Sequence, residues 1–373
     1  MIFLKINSIG IAIHTNNYLI IQLLNNEFSH FITEHISSTK WEIVIKNEEY
    51  NLNNIDVRKH SDSLFYSNNM VIQKLSAKNR DSYIEYQKKG DCIFTALYIS
   101  YKIKQNSLER MKDPLYMMRW ERCVIDFFHG PFLGIMELLL LKHGSSFLHA
   151  AAYAINGKGI SLAGNGQSGK STIVSWIVEN KNISIISEDF CIVSSDKQII
   201  SYPKSSRIVK DKLDETNYWQ ICNQDTIVAN KINLFLFSFL QKFGITAKRI
   251  MPNGEIFKNI PICMTTDYYS AIWVNREVTE LKLEDITAVE LAELCGESMK
   301  TELYNLSGFT DILDLLQSKY DSELCFEKII KNIKEIYYWC FSDTISKRLN
   351  LPFYREKNET KSKINKILLE EWR

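Results

Sequence analysis

The stretch Ser161–Val174, SLAGNGQSGKSTIV, satisfies two phosphate-binding patterns that imply different chemistry. Gly164, Gly166 and Gly169 spell G-x-G-x-x-G, in which glycines let the backbone approach the pyrophosphate of a dinucleotide. Gly164, Gly169, Lys170 and Ser171 also spell G-x-x-x-x-G-K-S, the P-loop that cradles nucleoside triphosphates. Of the chain's 14 glycines, those at 157, 159, 164, 166 and 169 crowd into this one neighbourhood. Backbone freedom is therefore concentrated where a ligand could approach.

Upstream lie FLHAAAYAI (147–155), the turn NGKG (156–159) and ISLA (160–163). Asn-Gly between two apolar runs is a strong hairpin signal, so two antiparallel strands are expected, the second feeding the glycine loop. A two-residue turn sets His149 opposite Gly164, and a four-residue turn sets it opposite Gly166. Either register puts the imidazole beside the loop, where it could contact phosphate or steer a carboxylate proton. Downstream, Ile173, Trp176 and Ile177 share a helix face. A buried strand, ISIIS (183–187), follows and stops on Glu188 and Asp189. Adjacent carboxylates in extended chain point to opposite sides, so one could hold Mg²⁺ while the other accepts a hydroxyl proton.

The dinucleotide reading asks for an acidic residue about twenty positions past the glycines, which Glu188 or Asp189 would supply. Two features oppose it. A Rossmann strand is normally one member of a parallel sheet, whereas the strand entering this loop is expected in a hairpin. It also gives Lys170 and Ser171 no role. In a P-loop the lysine meets the β and γ phosphates, the hydroxyl binds Mg²⁺, and amides at the helix N-terminus hold the rest.

One helix and one strand separate Lys170 from Glu188-Asp189, a compact spacing within LHAAAYAINGKGISLAGNGQSGKSTIVSWIVENKNISIISEDFCIV. This arrangement resembles the HPr kinase and phosphoenolpyruvate carboxykinase superfamily. It looks most like the HPr kinase-related serine kinases found with peptide-modifying enzymes in bacteria. The resemblance covers about residues 140–205. It implies an α/β fold with a mixed sheet and an ATP-dependent, Mg²⁺-dependent phosphotransferase acting on a serine or threonine of a peptide or small protein. It further implies that Asp189, Glu188, His149 and Lys170 carry the chemistry. Gly164, Asn165, Gly166, Gln167, Ser168, Gly169, Lys170, Ser171 and Thr172 would hold the nucleotide, and Ser171 with Asp189 the metal. Two departures stand out: the acidic pair is usually Asp-Asp where this chain has Glu188, and true HPr kinases place Glu at the position of Thr172. HPr itself and the reverse reaction are therefore not implied. A small-molecule acceptor, another nucleoside triphosphate, and a nucleotide-binding regulatory protein without catalysis stay open.

Other constellations give no site. His143 and His149 do not make a zinc spacing. GQSGK around Ser168 has Lys170 where the G-x-S-x-G elbow needs glycine. Lys204 and Arg207 could bind phosphate or an acidic substrate, or be solvated surface charge.

The whole chain has 373 residues, a length that favours more than one domain. Its 45 Lys and Arg nearly balance 44 Asp and Glu, which removes the broad basic field of a nucleic-acid binder. Eight scattered cysteines without a C-x-x-C pair suggest reduced thiols in a cytoplasmic protein. FLGIMELLLL (132–141) is too short to cross a bilayer, and MIFLKINSIGIAIHTNN offers no signal-peptide core, so no membrane partner is expected. Short β-branched and aromatic runs, IGIAIHT, YLIIQLL and WEIVIK among them, predict a mostly β N-terminal domain over 1–112. A helical connector over 113–144, a P-loop kinase-like domain over 145–290 and a largely helical region over 291–373 complete the layout, with oligomeric state open.

Overall fold

The computed structural model describes residues 1–67, 70–77, 80–90, 92–100, 119–177, 182–202, 206–208, 249–251, 261–276, 280–306, 309–310, 312–313, 325–352 and 357–370. Lys204 and the side chain of Arg207 lie outside the described residues. The architecture is α/β, mostly strand, with two mixed nine-stranded sheets. The chain divides into two compact units, Met1–Leu139 with Leu303–Ile329, and Leu140–Glu302 with Ile330–Arg373.

In the first unit, strands β1 (Ile2–Ile6), β2 (Ile9–His14), β3 (Ile32–Thr33), β4 (Trp41–Lys46) and β5 (Arg58–Lys59) are joined by β6 (Leu64–Tyr66), β7 (Val71–Ala77), β8 (Arg80–Lys89) and β9 (Cys92–Tyr98). Their order is β3-β1-β2-β4-β9-β8-β7-β6-β5. Strand β4 shows the alternation that builds a half-buried sheet, with Trp41, Ile43 and Ile45 buried and the residues between them half-exposed. YLIIQLL departs from the expected strand: Tyr18–Glu27 is helix α1. Asn17 Oδ1 accepts from the amides of Leu19 and Ile20, and Ile20, Leu23, Leu24 and Glu27 are buried at helical spacing.

Helices α2 (Arg119–His129) and α3 (Pro131–Leu141) meet at Gly130-Pro131, proline suiting the first helical position. By composition Cys123–Leu141 could cross a membrane, but 78% of that window is buried inside the protein. Phe132 stacks on Trp41 with centroids 4.6 Å apart, and Phe128 meets Phe28 edge-on at 5.0 Å. The apolar run is a core element.

The second unit is built on β10 (Ser145–Leu148), β11 (Ala150–Ile155), β12 (Lys158–Ala163), β13 (Ile183–Ser187), β14 (Cys191–Ser194) and β15 (Gln198–Ser201). β16 (Ser206–Ile208) and β17 (Arg249–Met251) form a separate pair, and β18 (Thr265–Arg276), β19 (Lys282–Asp285) and β20 (Ile345–Leu351) complete the main sheet. The turn at Asn156-Gly157 has two residues, both at positive φ (52° and 77°), and closes the hairpin at Ile155↔Lys158. β12 is therefore antiparallel to β11 on one side and parallel to β18 on the other.

Leu148 pairs with Cys191 and Ala152 with Ser187, and between Ala152 and Tyr153 the β11–β13 register shifts by one residue, Tyr153 pairing with Ile185. Residues 145–148 thus pair with 191–194 and residues 152–155 with 183–187, and His149 and Glu188–Phe190 lie between the two ladders. Ile160 and Leu162 of β12 pack with Ile173, Val174, Trp176 and Ile177 of helix α4 (Lys170–Ile177). On the opposite side of β12, Ser161 Oγ hydrogen-bonds Tyr268 Oη at 2.5 Å, and the Tyr268 ring meets Phe341 edge-on.

The C-terminal region contains the expected helices α5 (Ala288–Asn305), α6 (Phe326–Phe341) and α7 (Lys357–Glu370), but also β20. That strand was hidden by its charges in ISKRLNL. Its neighbours compensate them: Lys347 Nζ lies 2.8 Å from Asp285 Oδ1, and Arg348 Nη1 lies 3.8 Å from Glu284 Oε1. Leu349 and Leu351 enter the core.

Candidate functional site

Strands β12 and β13 both run antiparallel to β11, so their carboxyl ends meet its amino end. The glycine loop follows Ala163, the acidic pair follows Ser187, and His149 precedes Ala150. Three segments distant in sequence thus emerge at one end of one sheet. β18, parallel to β12, delivers Arg276 to the same end. In open α/β sheets a ligand crevice forms outside such carboxyl ends.

The loop backbone needs its glycines unequally. Gly164 has φ 155°, and a Cβ there would lie 2.5 Å from the Val274 carbonyl oxygen and 2.8 Å from Ser168 Oγ. Gly169 has φ 102°, which side chains rarely adopt. At Gly166 a Cβ would meet nothing within 4 Å, so the fold alone does not require glycine there. Gln167 sits at φ 66° and its carbonyl accepts from Arg276 Nη1 at 3.2 Å.

Lys170 opens α4 and turns back over the loop, donating from Nζ to the carbonyls of Gly164 (2.5 Å) and Asn165 (3.1 Å). Its side chain is only 7% exposed. An ammonium turned over the loop is placed to meet a bound phosphate. Ser168 Oγ is buried and has no hydrogen-bond partner among the described residues, although a buried hydroxyl normally finds one. Asn165, Gly166 and Gln167 are exposed, and Ser171 and Thr172 half-buried.

His149 lies between the two ladders and is 7% exposed. Its Nε2 lies 3.3 Å from Asp189 Oδ1. Nδ1 lies 3.2 Å from Ser298 Oγ and 3.4 Å from Glu302 Oε1, both on α5. The ring stacks on Phe190, centroids 5.2 Å apart at 17°. Ser187 Oγ donates to the Phe190 carbonyl, tightening the turn that carries the carboxylates. Glu188 and Asp189 are both half-buried.

The sequence reading missed Ser298 and Glu302. They are one helical turn apart beside the buried Leu291, Cys295 and Met299, so their shared face follows from spacing. Nothing in spacing reveals a partner 149 residues upstream. Among the described residues no group of three or more His, Cys, Asp or Glu is arranged to hold a metal ion. A Mg²⁺ ion held through one or two protein oxygens and substrate phosphates needs no such group. Comparison with protein-family models and with curated proteins finds no match to this chain.

Proposed function

We propose that the chain is an ATP-dependent phosphotransferase, similar to the HPr kinase-related serine kinases, acting on a serine or threonine hydroxyl of a peptide or small protein. The observation that carries this reading is the convergence of the Lys170 loop and the His149–Asp189 pair at one end of the sheet. A dinucleotide loop gives that pairing no purpose.

The residues present fit a nucleoside triphosphate with Mg²⁺. The buried Ser168 hydroxyl lacks a partner among the described residues, the Gly166 flank is open, and Lys170 holds a positive charge over the loop. The loop amides, Ser168 and Lys170 would hold the phosphates, and Ser171 with Asp189 the metal. Bound there, Mg²⁺-ATP supplies an electrophilic γ-phosphoryl group. The acceptor oxygen forms its bond to that phosphorus as the bond to the β-phosphate oxygen breaks, and the hydroxyl proton passes to Asp189. His149 orients the Asp189 carboxylate, and Lys170 stabilises charge developing on the phosphoryl oxygens.

The test is transfer of radiolabel from γ-³²P-ATP to a library of serine- and threonine-containing peptides in the presence of Mg²⁺. Label on peptides with the parent chain, and none with Lys170→Ala, supports the reading. Label on a small-molecule hydroxyl alone would replace the acceptor class. Binding of ATP without transfer to either would favour a nucleotide-binding regulatory protein.

A further inference from the structure

We propose that Glu302, together with Ser298, is a positioning residue: from helix α5 it holds the His149 ring so that Nε2 faces Asp189. The kinetic arm of this proposal rests on the phosphotransferase reading; the geometric arm does not.

Both side chains aim at one atom, His149 Nδ1, from successive turns of α5, at 3.2 Å for Ser298 Oγ and 3.4 Å for Glu302 Oε1. Ser298 is 6% exposed, so its hydroxyl reaches the ring from the interior. Glu302 is partly open to solvent and reaches Nδ1 through Oε1. Phe190 covers one face of the imidazole. The ring is thereby fixed in its plane by stacking and within that plane by partners on both nitrogens. Rotation that takes Nε2 from Asp189 also takes Nδ1 from α5.

A partner on the far nitrogen of a working histidine sets which nitrogen carries the proton and where the ring points. The helix is anchored independently of the site by Leu291, Cys295 and Met299. Its carboxylate therefore arrives preorganised, and the two acids meet the ring at opposite nitrogens. Loss of the outer partner of a metal-ligating histidine costs roughly ten- to a hundredfold in affinity or activity, and a loss at the lower end is expected here.

The experiment uses the full chain, with Mg²⁺-ATP as the probe. Ring nitrogen NMR signals of His149 are identified by their loss in His149→Gln, then compared in Glu302→Ala and Glu302→Gln. ATP turnover, Mg²⁺-ATP affinity and melting temperature are measured in parallel. We expect Glu302→Ala to displace the His149 signals and lower kcat about tenfold, with affinity and melting little changed. Glu302→Gln, which keeps an acceptor oxygen in place, should recover most of both. On a His149→Gln background the alanine substitution should cost nothing further, because Glu302 acts only through the ring. Unmoved His149 signals in Glu302→Ala overturn the proposal, as does an equal loss of turnover on the His149→Gln background or displaced signals with unchanged turnover. If the parent turns over no ATP, the ring signals alone decide the positioning role, and the phosphotransferase reading is what fails.

Discussion

His149 Nε2 lies 3.3 Å from Asp189 Oδ1, between the β10–β14 and β11–β13 ladders. There His149 meets Asp189 and stacks on Phe190. Asp189 is the member of the acidic pair that lies against the imidazole. Asp189→Asn should therefore abolish phosphoryl transfer, and Glu188→Gln should only weaken it. Affinity for Mg²⁺-ATP separates the roles of the aspartate, since loss of a base lowers turnover and loss of a metal ligand also weakens binding. We expect turnover to take most of the loss. Near-normal activity in both variants would reduce the pair to a strand-end turn.

Lys170 bridges the carbonyls of Gly164 and Asn165 while its charge stays buried. Its removal should cost transition-state stabilisation of about 3 kcal/mol, a rate loss of about a hundredfold or more. The carbonyls lose a donor, which costs about 1 kcal/mol of stability. At this chain length that corresponds to a fall of about 1 °C in Tm. Lys170→Ala should thus remain folded by circular dichroism yet be nearly inactive. Wild-type turnover in that variant would remove the loop from the chemistry.

Gly164 and Gly166 differ in what an added methyl group would meet. At 164 it would collide with the Val274 carbonyl and demand a positive φ; at 166 it would enter open space. Gly164→Ala should destabilise the fold by at least about 1–3 kcal/mol, measured by urea unfolding. Gly166→Ala should leave the unfolding midpoint nearly in place and weaken Mg²⁺-ATP binding, since only a ligand would come close to that carbon. Equal stability losses at the two positions would contradict the loop geometry.

Cys191, Cys295 and Cys340 are buried thiols in the second unit. Burial pushes the first two far above the usual thiol range and the third up to about 12. A raised folded pKa means that the native state favours the protonated thiol. Stability from these groups is full below the ordinary thiol pKa of about 8.5 and is lost as pH rises towards 12. Tyr153 and Tyr268, raised by burial as well, add to the fall at the alkaline end. Urea midpoints should hold steady between pH 7 and 8 and drop above about pH 9. Ellman's reagent at pH 8 should leave these three thiols unlabelled until urea is added; rapid native labelling would contradict their burial.

What was legible in the sequence was local chemistry. Asn156-Gly157 marked the hairpin because both residues must take positive φ, and the glycine spacing marked the loop. The turn length chose between two registers and set His149 across from Gly164, a choice that counting residues left open. Elements whose pattern depends on distant partners were harder to read. Tyr18–Glu27 carries β-prone residues but is capped by Asn17 into a helix, and β20 hides its alternation behind charges neutralised by β19. Glu302 was invisible for the same reason, because its partner is reached only through the packing of α5.

The central claim is that the glycine loop holds a nucleoside triphosphate. Titration calorimetry of the full chain with Mg²⁺-ATP, and separately with NAD, tests it most directly. The account predicts saturable Mg²⁺-ATP binding that is weakened in Lys170→Ala, with little heat from NAD. Tight NAD binding in the absence of any Mg²⁺-nucleotide binding would contradict it.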